Sequence, residues 1–396
     1  MNSPVLISRL TEYGVSRRAF LKYCALVASC LALPASGIPA LAEKLRQAAR
    51  PAVIWLSFQE CTGCTESLTR SYTPSIEELI FDLISLDYHH TLQAASGEAA
   101  EVARQETMQH HAGKYWLIVD GSIPTAADGV YSTIAGRTNL DMLREGVANA
   151  AIVVAVGSCA AFGGLAAAQP NPTGASSVAA LMQAGLIATK PLVNLPGCPP
   201  LPIAISSLFA YLLAFERLPD LDALKRPLSI YGNTVHDRCS RYRYYAEEKF
   251  AERFGDEGHR KGWCLYKLGC KGPVTHNACS LYKWNQGTSS PIEAGHPCLG
   301  CSEPDFWDKG SFYHSLDKAL SPVAPIGKTP DIAIETGQKL YTEHCVSCHA
   351  PSPASFKTPA EDIPALLRSG NIRAHRRFEL SDEQLELLEK YFTAQQ

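Results

Sequence analysis

The stretch Val53-Ile54-Trp55-Leu56-Ser57-Phe58-Gln59-Glu60-Cys61-Thr62-Gly63-Cys64-Thr65-Glu66-Ser67 decides the architecture. Its first six residues form an apolar run that reads as a buried strand. Two cysteines three apart follow on the loop. Alone, such a pair is a redox dithiol, two unrelated thiols or part of a metal site. Cys159, in Gly157-Ser158-Cys159, and Cys198, in Pro196-Gly197-Cys198-Pro199-Pro200, follow the apolar runs Ala151 to Val156 and Leu192 to Leu195. Thiols therefore stand at three strand exits, and the four together make the number an iron–sulfur cube takes.

The surrounding pattern supports this placement. Runs at 53–58, 115–119, 151–156 and 192–195 alternate with helical stretches at 76–83 and 142–148. Such alternation implies a parallel sheet covered on both faces. Ligands of such sheets gather beyond the carboxyl ends of the strands, where Cys61, Cys64, Cys159 and Cys198 fall. Gly157-Ser158-Cys159 puts a thiol where a phosphate loop needs glycine, so no flavin is expected. The polar segment Gln93 to Gly113 reads as a surface insertion, with His110-His111 solvated. Leu201 to Phe215 is apolar but interrupted by Ser206 and Ser207. It falls short of the roughly 18 apolar residues a spanning helix needs and reads as a buried helix on the sheet.

At 396 residues, two to three domains are expected. A net charge of −3 points to neither nucleic acid nor an anionic membrane. Fourteen cysteines are too sparse here for a disulfide scaffold, and their C-x-x-C and H-x-x-C pairing argues for metals. Ser16-Arg17-Arg18-Ala19-Phe20-Leu21-Lys22 is a twin-arginine sequence, followed by apolar residues 23–33 and the small cleavage residues Ala40-Leu41-Ala42. Residues 1–42 therefore read as an export signal. Cys24 and Cys30 lie in that segment and receive no role.

FQECTGCTES, GSCAAFGG and LPGCPP together resemble the small, electron-transferring subunit of nickel–iron hydrogenases, from about Pro51 to Asp308. The resemblance implies a flavodoxin-like domain at 43–225, with Cys61, Cys64, Cys159 and Cys198 holding a proximal [4Fe-4S] cluster. It implies a small irregular domain at 226–310, held together by its clusters. In the family's H-x-x-C pattern, His236, Cys239, Cys264 and Cys270 hold a distal [4Fe-4S] cluster. Cys279, Cys298 and Cys301 are three thiols, and Pro291 falls where the family pattern would put a fourth cysteine. A medial [3Fe-4S] cluster is therefore expected. Oxygen-tolerant relatives carry two further cysteines near the first cluster; Gly63 and residues 160–165 supply none, so inactivation by oxygen is expected. Glu60 and Thr62 stay open between a proton path and a surface or capping role. Many membrane-bound relatives end in an anchor helix; its lack here implies a soluble, periplasmic mature protein.

Residues 311–331 are rich in Pro, Ser and Ala and read as a linker. Beyond it, Cys345-Val346-Ser347-Cys348-His349 is an attachment motif for c-type haem. Cys345 and Cys348 would hold the haem, and His349 would supply its fifth ligand. A helical lead-in at 332–343, with Gly337 and Tyr341, and a closing helix at 380–392 capped by Ser381 resemble an all-α class I cytochrome c over 332–396. None of the four methionines lies in this region. His375 stands where the usual methionine is expected and is the candidate sixth ligand.

The implied function is an electron wire of a hydrogen:acceptor oxidoreductase. A separate large subunit would hold the nickel–iron site, because every thiol here is already assigned. Electrons would pass from the proximal to the medial and distal clusters, then to haem and a redox acceptor such as a cytochrome. The alternatives are a free-standing iron–sulfur and haem carrier, and a hydrogen sensor. A bare sheet interface argues against the first and the export signal against the second.

Overall fold

A computed structural model describes residues 17–31, 33–72, 74–309, 312–316, 332–345, 358, 362–369 and 380–395. The chain divides into two units, Met1–Leu320 and Ser321–Gln396.

The first unit is built on five parallel strands, β1 (Ala52–Ser57), β2 (Ser85–His89), β3 (Trp116–Asp120), β4 (Ile152–Val156) and β5 (Leu192–Leu195). Their order is β2-β1-β3-β4-β5. This is the doubly wound, flavodoxin-like order, with its switch point between β1 and β3. The four strands read from the apolar runs lie within one residue of their expected bounds. Strand β2 escaped that reading. Ser85-Leu86-Asp87-Tyr88-His89 carries polar groups because it is an edge strand, with β1 its one neighbour in the sheet.

The apolar runs are continuous because both faces are covered. Val53, Trp55, Ile118, Val154 and Val156 point into one core, and Ile54, Leu56, Leu117, Val119 and Ala155 into the other. The first core takes in α1 (Arg17–Cys30), α2 (Ile38–Gln47) and the later apolar helix Pro202–Phe215. Short α3 (Gly63–Thr69) leaves the end of the β1 loop, and α4 (Gly97–His110) and α5 (Asn139–Ala148) lie on the second core. Next come α6 (Gly157–Phe162), which follows β4, and the apolar helix itself, α7 (Pro202–Phe215).

Two expectations need correcting. Polar Gln93 to Gly113 is not merely a surface insertion, because α4 buries Arg104 completely between Glu101 and Glu145, at 3.0 and 2.8 Å. That buried charge is tolerated because both carboxylates neutralise it; His110 and His111 remain exposed at the helix end. The helix begun at Ile76 turns into a π-helix over Leu79–Leu83. Cys24 and Cys30, given no role, are fully buried in the first core. An apolar helix in water covers itself with any apolar surface in reach, here α7.

From residue 226 to 309 the character changes. Among the described residues no helix there exceeds the five residues of Tyr242–Ala246, and isolated bridges such as Thr234 with His276 replace a sheet. The local core is small: Val235, Ala251, Leu265, Leu268, Cys270 and Ile292.

The described part of the second unit is helical: α8 (Ile332–His344), α9 (Ile363–Ser369) and α10 (Asp382–Gln395). Ser381 caps α10 as the sequence implies. Its hydroxyl accepts from Gln384 N–H at 3.2 Å, and its own N–H donates to the Gln384 side chain at 2.9 Å. Gly337 lets α8 meet α10, since a side chain there would strike the Leu387 carbonyl and Tyr391. Leu340, Tyr341, Ile363, Leu388, Tyr391 and Phe392 form the core.

Candidate metal centres

The thiols at the sheet come together as the strand exits require. Cys61 lies on the loop after β1, Cys64 in the first turn of α3, Cys159 in α6 after β4, and Cys198 after β5. Gly157, at φ +87°, lies so close to the Cys64 Sγ that a side chain there would overlap it. Burial pushes Cys64 well above the usual thiol range, with Asp120, Cys159 and Cys198 adding to the rise. Cys159 and Cys198 are each pushed up to about 11, first by burial and then by their neighbours, including Cys61. Such thiols hold their protons until a metal replaces them.

A buried polar relay backs this set. The Thr91 N–H donates to His89 Nδ1 at 3.1 Å, which leaves the other ring nitrogen, Nε2, to donate to Thr65 Oγ1 at 3.3 Å. Thr65 in turn donates to Asp120 Oδ2 at 3.5 Å. Burial pushes His89 down to about 4, with His90 adding to the fall. Asp120 is pushed up to about 7 by burial and then by Glu60.

His236, Cys239, Cys264 and Cys270 line one cavity. The His236 ring is held edge-on by Tyr242 and Tyr245, at centroid distances of 5.1 and 4.6 Å. Burial lowers its pKa, favouring the neutral imidazole that metals bind. The buried Arg241 donates its backbone N–H to Cys239 Sγ at 3.4 Å and its guanidinium to the Trp263 carbonyl at 2.8 Å. Its charge sits within the field of Cys239, Cys264 and Cys270.

Cys279, Cys298 and Cys301 line a separate cavity of about 160 Å³. Pro291 lines it too, as does Cys198 of the sheet set. Among the described residues no three His, Cys, Asp or Glu side chains converge as a single ion would need. A polynuclear cluster instead spreads its thiolates around a core, which suits cavities walled by cysteines.

Direct contacts string the three sets in order. Ser158, next to Cys159, donates its hydroxyl to the Cys301 carbonyl and accepts from the Gly197 N–H at 3.0 Å. The Cys298 N–H donates to Cys270 Sγ at 3.4 Å. Cys345 directly follows α8 and is half-buried, its N–H donating to the Tyr341 carbonyl at 2.8 Å. Cys348, His349 and His375 lie outside the described residues.

Asp120, Thr65, His89, Ser158 and Arg241 went unnoticed in the sequence. Asp120 ends an apolar strand and Ser158 precedes a thiol. Arg241 stands two residues after Cys239. Each position is a local hint, but the partners that matter are 22 to 143 residues away.

Known proteins place the chain. It is 47% identical over 309 residues to the periplasmic [NiFe] hydrogenase small subunit 1 of Nitratidesulfovibrio vulgaris, covering 78% of this chain and 96% of that one. It belongs to the nickel–iron hydrogenase small-subunit family. The uptake hydrogenase small subunit of Azotobacter vinelandii is 46% identical over 78% of this chain and 84% of its own length. Two family models match. One, for the 20 Kd subunit of NADH ubiquinone oxidoreductase, covers residues 61–212. The other, for the C-terminal part of the NiFe/NiFeSe hydrogenase small subunit, covers residues 231–314. A chain from the reduced, active Ni-Fe-Se hydrogenase of Desulfomicrobium baculatum shares the fold at a TM-score of 0.63 and 37% identity. That match spans 67% of this chain and all of the other. As a hydrogenase small subunit, the chain is the electron-transferring, iron–sulfur part of its enzyme. Both family models end before the second unit begins.

Proposed function

We propose that the chain carries electrons from hydrogen oxidation in a nickel-binding large subunit, across three clusters, to a C-terminal c-type haem. The carrying observation is the ordered contact of the three cysteine sets, through Ser158 to Cys301 and through Cys298 to Cys270. Cys61, Cys64, Cys159 and Cys198 would hold the proximal [4Fe-4S] cluster. Cys279, Cys298 and Cys301 would hold the medial [3Fe-4S] cluster. His236, Cys239, Cys264 and Cys270 would hold the distal [4Fe-4S] cluster. Bound clusters supply one-electron steps whose potentials follow charge, hydrogen bonds and exposure. Pro291 offers the medial cavity no donor atom, which is what a three-iron centre needs. The buried Arg241 offsets thiolate charge beside the distal set and favours its reduced state.

In the second unit, Cys345 stands against the α8–α10 core, as the first attachment cysteine of a haem motif would. Cys348 would be the second, with His349 and His375 as iron ligands. Residues 1–42 act as a twin-arginine export signal, and the periplasmic relative supports a periplasmic site of action. Among the described residues no helix is long and apolar enough to cross a membrane. The test is a complex purified with its large subunit under hydrogen. The haem band is expected to reduce within turnover. Cys264→Ser should abolish that reduction while hydrogen–deuterium exchange at the large subunit persists. A haem that reduces equally fast in this variant would exclude the distal set from the path.

A further inference from the structure

The apolar helix α7 is buried along its whole length from Pro202 to Ala214. A helix apolar all round must be covered all round. The sheet covers one side, where Phe209 meets Trp116 at 5.8 Å between ring centroids. Ser207 lies two residues before Phe209, which is about 200° round the helix and so on the opposite side. There the cover is the N-terminal segment. The Ser207 hydroxyl donates to Cys30 Sγ at 3.4 Å, and Tyr23 donates to the Ser206 carbonyl at 3.1 Å. The Lys44 ammonium caps the far end, 4.8 Å over the Phe215 ring. Tyr23, Cys24, Val27 and Cys30 are all at most 2% exposed.

The same segment carries the twin arginines and the small cleavage residues Ala40-Leu41-Ala42. Cleavage there removes α1 and about half of α2. The outer face of α7 then loses Tyr23, Cys24, Val27 and Cys30 and keeps only Lys44 and Leu45 at its far end, yet an apolar face of that length does not stay in water. The face is also continuous with the place where electrons enter. Helix α7 starts four residues after Cys198, and Cys64 shares its core. A partner that delivers electrons to the Cys61 set therefore reaches the start of α7.

We propose that the described residues 17–42 are a temporary lid on a face of α7 that, in the assembled enzyme, lies under the catalytic large subunit. The packed lid and the docked large subunit exclude each other. This rests on the reading that such a subunit delivers the electrons. Docking would free the export segment from α7.

Cys24 and Cys30 are a built-in reporter, because neither belongs to a cluster set or the haem motif. The full chain, with its clusters in place, is treated with a maleimide, and labelling at both thiols is read by peptide mass. Both are expected to resist labelling in the chain alone and to label at least about tenfold faster once the large subunit is bound. Val27→Glu puts a charge into the lid's buried face and should raise the docking rate by a similar factor. Thiols that stay protected in the complex, with Val27→Glu docking at the unchanged rate, overturn the lid. If the large subunit binds neither the full chain nor one starting at residue 43, the underlying partner reading falls and the lid with it.

Discussion

The sheet region and the region from residue 226 to 309 hold comparable sites by opposite means. The sheet places its cysteines on strand exits anchored in two apolar cores. The second region has one small core, and several of its wall residues are the cysteines themselves. Geometry in the first is set by the protein before any metal arrives. In the second, a large share of the fold would come from the metal, as in small metal-stapled domains.

The sharpest way to break this contrast is to remove the clusters. Anaerobic chelation should leave amide protection in β1, β3 and β4 while protection from 226 to 309 is lost, read by hydrogen exchange. Uniform loss in both regions would show that the sheet depends on metal as well. A core cavity is the reverse experiment. Phe209→Ala should cost about 3–5 kcal/mol of stability in denaturant titration, with the cluster spectra unchanged. Altered cluster spectra in that variant would mean that the sheet core and the sites are not separable.

A smaller effect is written in His89, whose folded pKa near 4 lies below its ordinary 6.5. The unfolded chain binds a proton first as pH falls. Stability from this group is therefore full above pH 6.5 and is lost between 6.5 and about 4. The loss is up to about 3 kcal/mol. His89→Gln should flatten that part of the curve, and an equal slope in variant and wild type would remove His89 as its source. The least costly change to the fold is Pro291→Cys. If the medial set holds the three-iron cluster proposed for it, this variant should replace its paramagnetic resonance signal with that of a four-iron centre of lower potential, with little change in stability. Persistence of the three-iron signal would show that position 291 does not reach the cluster.

The apolar runs and the cysteine spacings were legible because they are local. A strand buried on both faces must be apolar at every position, and a loop ligand pair must be close in sequence. Four strands, the buried α7 and the Ser381 cap follow from such patterns. The edge strand β2 and the buried face of α4 do not, because their polar groups are paid for by distant partners such as Glu145.

By itself the sequence determined which residues have metal-binding chemistry and which segments form the sheet, because composition and period act over a few residues. The tertiary structure alone decided the strand order, the contact of Ser158 with Cys301, the relay from His89 to Asp120, and the burial of Cys24 and Cys30 against α7. Those depend on which surfaces meet across many tens of residues, where burial and charge pairing, not local pattern, select the partner.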